Sequence, residues 1–295
     1  MKVLNYGSLN VDNVYSVHHI VRGGETILSS KVEQFCGGKG LNQSIALAKA
    51  GVPVCHAGLV GEDGGMLLDA CRESGVDITH VKTLPVKGGH TIIQVDEKGQ
   101  NCIILYGGTN QMQTKEYIDQ VLEDFGEGDY LILQNEVNLL DYIIDRAYDR
   151  GMKIVLNPSP FDEKLDACDL TKIYLFMLNE IEGEQFTGSC DKDEILDRLA
   201  AKFPNARFVL TLGSDGAVYY DGKEKVFQDI FKVKAVDTTA AGDTFTGFFM
   251  ASIIGGASVK EALRTAAKAS SIAVSRPGAT PSIPTMDEVR ESLKD

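Results

Sequence analysis

From residue 114 onward the chain alternates between apolar strand-like runs and helical ones. "TKEYIDQVLEDF" has helical spacing, "DYLILQNE" forms a strand, "NLLDYIIDRAYDRG" a helix, and "MKIVLNPSP" and "IYLFMLNE" two further strands. "DKDEILDRLAAKFP" is helical and "ARFVLTLGSDGAVYY" gives strand, turn and strand. Three helical segments, "GDTFTGFFMASIIGG", "SVKEALRTAAKASSIAVSR" and "TMDEVRESLKD", end the chain. Short apolar strands separated by helices predict an α/β fold, a mostly parallel sheet with helices on both faces. The N-terminal part agrees. "KVLNYGSLNVD" is a strand running into polar residues, "GLNQSIALAKAG" a helix with a glycine stop, "VPVCHAGLVG" a strand and "GGMLLDACRESG" a helix.

Two segments break the pattern. "GHTIIQVDEKGQNCIILYGG" (89–108) is a hairpin, two β-rich runs joined at Lys98 and Gly99, and the stretch from Asn13 to Phe35 is also strand-like. Both are predicted to leave the main sheet as a small β lid, contributed by about residues 13–36 and 89–108. A lid with bare edges invites covering by a second copy, so a homodimer through the lid is expected. No repeat or linker divides residues 1–295, which predicts one domain carrying this lid.

Ligands of parallel α/β sheets bind beyond the carboxyl ends of the strands. Here "LNVD", "LQNE", "LNPSP", "MLNE" and "TLGSDG" each place polar residues directly after an apolar run. That strand edge is the predicted site. The formal charge of −13 argues against nucleic acid and anionic membranes as partners, though not against one small anion. No apolar run is long enough to span a bilayer, and no secretory signal opens the chain, so a cytoplasmic location is expected. The six cysteines form no C-x-x-C pair and no zinc site is assigned.

Four motifs carry chemistry. In "FCGGKGLNQ", Gly37, Gly38 and Gly40 surround Lys39 at a helix start and let the backbone approach a ligand, with Asn42 on the same turn. This is not a P-loop, because no [ST] follows the lysine. In "GSLNVD", Asn10 and Asp12 are two apart and face one side of a strand, which suits a polyol; turn chemistry explains the same residues. In "MLNEIEGE", Asn179 and Glu182 fit either a hydrated Mg²⁺ or an ordinary helix cap. In "VDTTAAGDTFTG", Ala240, Ala241 and Gly242 can align N–H groups at a helix start into an anion hole. Asp243 beside them is either a helix-terminal charge or the acceptor of a proton from a hydroxyl attacking a phosphoryl group.

Together these motifs resemble the ribokinase-like (PfkB) family of carbohydrate kinases over nearly the whole chain. "GSLNVD", "GGETI", "GGKGLNQ", "LQNE", "LNPSP", "LNEIEGE", "TLGSDGA", "DTTAAGDTFTG" and "AVSRPGATPSIP" carry the resemblance. It implies an ATP-dependent kinase acting on a sugar, with D-ribose and its 5-hydroxyl as the leading substrate. Other sugars such as fructose or ketodeoxygluconate, and nucleosides, are the alternatives within the family, and a non-catalytic sugar sensor lies further off. Asp243 would be the catalytic base, with Ala240, Ala241 and Gly242 as the anion hole. Asn10, Asp12, Gly38, Lys39, Asn42, Glu136 and the lid residue Thr91 would contact sugar. Asn179 and Glu182 would serve Mg²⁺ and phosphate, and Thr211, Gly213 and Gly216 the nucleotide. A K⁺ site would draw on Asp237, Thr239, Ala273, Arg276, Gly278 and Ser282. Position 267, where family members can carry a histidine near the adenine, is alanine.

Overall fold

The computed structural model describes residues 1–294. In chain order the strands are β1 (Val3–Tyr6), β2 (Asn10–Ser16), β3 (Lys31–Gly37), β4 (Cys55–Gly61), β5 (Asp77–Leu84), β6 (Gly89–Val95), β7 (Asn101–Tyr106), β8 (Tyr130–Gln134), β9 (Lys153–Asn157), β10 (Leu175–Asn179), β11 (Arg207–Thr211), β12 (Ala217–Tyr220) and β13 (Lys225–Gln228). The helices are α1 (Lys39–Lys49), α2 (Gly65–Glu73), α3 (Lys115–Leu122), α4 (Leu140–Asp149), α5 (Glu180–Thr187), α6 (Lys192–Lys202), α7 (Ala241–Ile254), α8 (Val259–Val274) and α9 (Met286–Ser292).

The large sheet runs β13-β12-β11-β10-β9-β8-β1-β4-β5, parallel from β11 through β5 and antiparallel at β12 and β13. Its central strands are apolar on both faces because helices cover both: every residue of β8 is buried. The small sheet runs β3-β2-β6-β7. The predicted lid is thus a separate sheet, and the strand-like stretch from Asn13 to Phe35 resolves into more than one element. It is two antiparallel strands, β2 and β3, around the loop 17–30, and β2 begins already at Asn10. β5 and β13, both edge strands, had no clear apolar signal: "DITHVKTL" and "KVFQ" are half exposed and polar-rich.

Helix α7 is apolar almost all round because it is sandwiched. Residues 243–251 are all buried, and a methyl group on Gly247 would lie 2.4 Å from the Ala46 Cβ of α1. This backbone-close contact of α1 with α7 brings the polar start of one helix against the polar start of the other. Burying Phe248 and Phe249 there contributes roughly 1.5–3 kcal/mol each.

Candidate active site

The first turn of α7 has an unusual entry. Its N-cap is Ala240, held in the left-handed region at φ 58°, where alanine pays a steric cost and offers no side-chain oxygen to cap the helix. The Thr238 carbonyl accepts from the Ala241 N–H at 3.2 Å, and the amides of Gly242 and Asp243 are left for a ligand. They open onto a cavity of about 230 Å³ whose walls include Lys39, Asn157, Asn179, Glu182, Thr211 and Thr238.

Asp243 is buried at this rim and held from below by α1. The Asn42 side-chain amide donates to its Oδ2 and the Gln43 amide to its Oδ1, both at 2.9 Å. Lys39 lies among three carboxylates. Burial alone would depress its ammonium, but Asp243, Glu136 and Glu182 outweigh that and raise it, so it stays charged. The same burial raises Glu136 and Glu182, and Lys39 pulls each of them back. In a chain of net charge −13, this half-buried ammonium and the start of α7 are the positive groups of a site that also holds three carboxylates.

A second polar group sits where the lid meets the large sheet. Asn10 and Asp12 share one face of β2, and register places them opposite Gly89 and Thr91 of β6. The Thr91 hydroxyl donates to Asp12 Oδ1 at 2.7 Å, and burial pushes the Asp12 carboxyl up from its ordinary value against that bond. The Asn10 oxygen accepts from Asn110 at 2.7 Å. Gly38, the N-cap of α1, has φ 96° and lies against the backbone of Ser8 and Asn10, so no other residue fits without strain. Glu136 accepts from the Lys39 N–H at 2.9 Å and from the Ser8 hydroxyl.

The remaining expected residues divide. Asn179 and Glu182 form a reciprocal capping box on α5, Asn179 accepting from the Glu182 N–H at 2.9 Å and Glu182 from the Asn179 N–H at 3.0 Å. They wall the cavity and cap the helix at once. Thr211 also lines the cavity. Gly213 and Gly216 lie in the turn between β11 and β12, outside that lining. The structure gives Gly216 a packing reason of its own: a Cβ there would lie 2.3 Å from the Gln228 carbonyl of β13.

Asp237 ties two loops together. Its Oδ1 accepts from the Thr239 N–H at 2.9 Å and the Thr239 hydroxyl at 2.6 Å, and its Oδ2 from the Gly278 N–H at 2.9 Å. Burial pushes this carboxyl up, yet those donors together hold it below its usual value. The side chains of Arg276 and Ser282 are engaged elsewhere, on Glu288 at 2.8 Å and on the Ala279 carbonyl at 2.7 Å. Ala273 is buried at the end of α8, its carbonyl accepting from the Arg276 N–H.

A larger concavity, about 1050 Å³, lies at the opposite end of the large sheet, among the first residues of β1, β4 and β5. It is the wrong end of a parallel sheet for chemistry, and the convergent carboxylates, Lys39 and free helix amides belong to the small cavity. Residues missing from the sequence reading are Ser8, Gln43, Asn110, Gln134 and Thr246. Gln43 and Gln134 stood inside quoted motifs, and Asn110 follows the lid hairpin without any periodic signal.

The family model described as "pfkB family carbohydrate kinase" matches residues 1–286. The chain is 34% identical over 298 residues to a ribokinase of Haemophilus influenzae, covering 98% of this chain and 97% of that one. It is also 34% identical over 314 residues to a ribokinase of Schizosaccharomyces pombe, with coverages of 99% and 98%. Among solved structures, Arabidopsis thaliana ribokinase complexed with ribose and ATP superposes with a TM-score of 0.87 at 28% identity, covering 100% of this chain and 99% of that one. Full-length identity of this kind, together with the family model over residues 1–286, makes the chain a member of the PfkB family of carbohydrate kinases, phosphotransferases that use an alcohol as acceptor.

Proposed function

We propose that the chain transfers the γ-phosphoryl group of ATP to the primary 5-hydroxyl of D-ribose. The observation that carries the reading is Asp243, clasped by two amides beside the uncapped start of α7. Full-length similarity to ribokinases of several organisms supports ribose as the sugar.

In this reading the sugar lies between the lid and the large sheet, its hydroxyls bonded by Asn10, Asp12, Gly38, Lys39, Asn42, Thr91 and Glu136. Asp243 accepts the proton of the attacking hydroxyl as its oxygen bonds to phosphorus, and the bond to the ADP oxygen breaks. The anion hole assigned to Ala240, Ala241 and Gly242 takes up charge on the transferring group through the open amides of Gly242 and its neighbour Asp243, the Ala241 N–H being turned onto Thr238, and Lys39 adds to that field. Thr211, Gly213 and Gly216 hold the nucleotide. Both oxygens of Glu182 already accept hydrogen bonds from Asn179, which suits contact with Mg²⁺ through its retained waters. Such an ion would neutralise the phosphate charges. The carboxylate and carbonyl oxygens of the Asp237, Thr239, Ala273, Arg276, Gly278 and Ser282 loops are hard donors that fit K⁺, which would steady the turn into α7.

We place residues 1–295 in one domain with a lid. A second copy would cover β7, where Ile103, Ile104, Leu105 and Tyr106 are all about half exposed. All six cysteines are free, which suits the reducing cytoplasm, and no helix among the described residues is long and apolar enough to cross a membrane.

A coupled ADP-release screen over pentoses, hexoses and nucleosides tests the substrate, run with and without Mg²⁺ and K⁺. Turnover of a hexose or nucleoside without ribose would sink the ribose reading and keep the kinase class. A deoxyribokinase of Salmonella typhi is 29% identical over 302 residues, so 2-deoxyribose belongs in the panel. Sedimentation of the same preparation reads the dimer, and a monomer throughout would remove it.

A further inference from the structure

Beneath Asp243 runs a chain of buried polar side chains that the reaction as described does not use. Gln43 donates to Asp243 Oδ1 at 2.9 Å, and its own Oε1 accepts from Gln134 at 2.7 Å. The same Gln134 amide nitrogen donates to Asn5 Oδ1 at 2.9 Å. Asn5 in turn donates to the Gly40 carbonyl at 2.7 Å and to the Ser44 hydroxyl at 2.8 Å. Ser44 then meets His56 Nδ1 at 2.7 Å. Asn5, Gln43, Ser44, Gln134 and His56 are each completely buried.

The direction of every amide in this chain is forced. A backbone carbonyl can only accept, so Gly40 requires the Asn5 nitrogen on its side and leaves the Asn5 oxygen toward Gln134. Gln134 must then offer its nitrogen to both Asn5 and Gln43. Gln43 must meet Gln134 with its oxygen, which turns its nitrogen onto Asp243. A flip at any member would set two acceptors or two donors face to face. The far branch ends in a neutral group, because complete burial depresses His56 to about 4.

We propose that Asn5, Gln134 and Gln43 form an orienting chain that fixes a hydrogen-bond donor on Asp243, so that the base is held in one rotamer toward the sugar hydroxyl. Gln43 and Gln134 are positioning residues; they touch Asp243 directly or through one another. A buried polar chain is less stabilising than apolar packing of the same shape unless it is fully paired, and this one leaves Gln134 Oε1 without a partner. Stability therefore does not account for it. The charged groups facing Asp243 from other elements are Lys39 of α1, Glu136 after β8 and Glu182 of α5; Asn42 donates to the other oxygen, Oδ2, and none of these replaces the Gln43 donor on Oδ1.

This inference rests on Asp243 being the base, and its test separates the two ideas. In Gln134→Met and Gln43→Met turnover falls about tenfold with the sugar KM little changed, because a donor to Asp243 is lost or free to flip. Gln113→Met serves as control: Gln113 is buried and accepts from Tyr6 at 2.8 Å, outside the chain. It lowers thermal stability and leaves turnover unmoved. A wild-type kcat in folded Gln134→Met and Gln43→Met overturns the proposal even if both are less stable, and Gln43→Met alone decides it if Gln134→Met does not fold. Wild-type turnover in Asp243→Asn would instead strike the assignment of the base, so the two failures are told apart.

Discussion

Strand β8 of the large sheet is buried at every position, while β7 of the small sheet is exposed at every position. The polar groups that each sheet brings to the site differ accordingly. Those beneath Asp243 are sealed in a core and locked by each other, so their geometry is set by folding. Those of the lid, Asp12 and Thr91, hang on two central strands whose outer neighbour has no covering layer. On the proposed function, the sealed half is the one assigned to proton transfer and the open half the one assigned to the sugar. A catalytic base must be placed within tenths of an ångström, whereas a sugar contact must differ between relatives of one fold.

Three changes break or sharpen that contrast. The largest acts on the rigid half: Asp243→Asn keeps the side-chain size but turns an amide nitrogen onto the Asn42 or Gln43 donor, and is expected to lower kcat by about 10²–10⁴, the range of a lost general base. Sugar binding, read by calorimetry, stays largely intact. A wild-type rate would remove Asp243 from the chemistry.

The second concerns the cost of burying titratable groups in the large sheet. His56 titrates near 4 when folded against about 6.5 unfolded, a depressed folded value for a base. Its contribution is therefore complete above about 6.5 and is lost as pH falls from there toward 4. Between pH 7 and pH 5 the protein loses about 2 kcal/mol through this residue, and His56→Gln loses correspondingly less. Equal urea midpoint shifts in both proteins would contradict it.

The smallest acts on the lid. Thr91→Val removes one donor to Asp12 and is expected to raise the sugar KM about fivefold, near 1 kcal/mol, with kcat nearly unchanged. An equal fall in kcat would mean the lid is as tightly coupled to the chemistry as α7.

The alternation of the large sheet was legible because strands buried on both faces are continuous apolar runs, as in "YLILQ" and "RFVLT". β5 and β13 were not, since an edge strand keeps one side in water and loses that pattern. The site residues in "GGKGLNQ" and "AAGD" stood out because glycine and alanine are needed wherever backbone must face a ligand. Gln43 and Gln134 stood in plain view but carried no signal, because their importance is a hydrogen-bond direction, and direction depends on partners 91 residues apart in the chain. The left-handed Ala240 was equally hidden: only the backbone reveals that an alanine occupies a conformation that suits glycine.

Gly38 separates the last residue of lid strand β3 from the first residue of α1, so the two elements are joined without a loop. Mechanically this is a single-residue coupling. A load on the lid, whether from a sugar beneath it or a second copy above it, is delivered to the very helix end that carries Lys39, Asn42 and Gln43. The molecule has no loop at that joint: the end of the lid strand and the start of the helix are one residue apart.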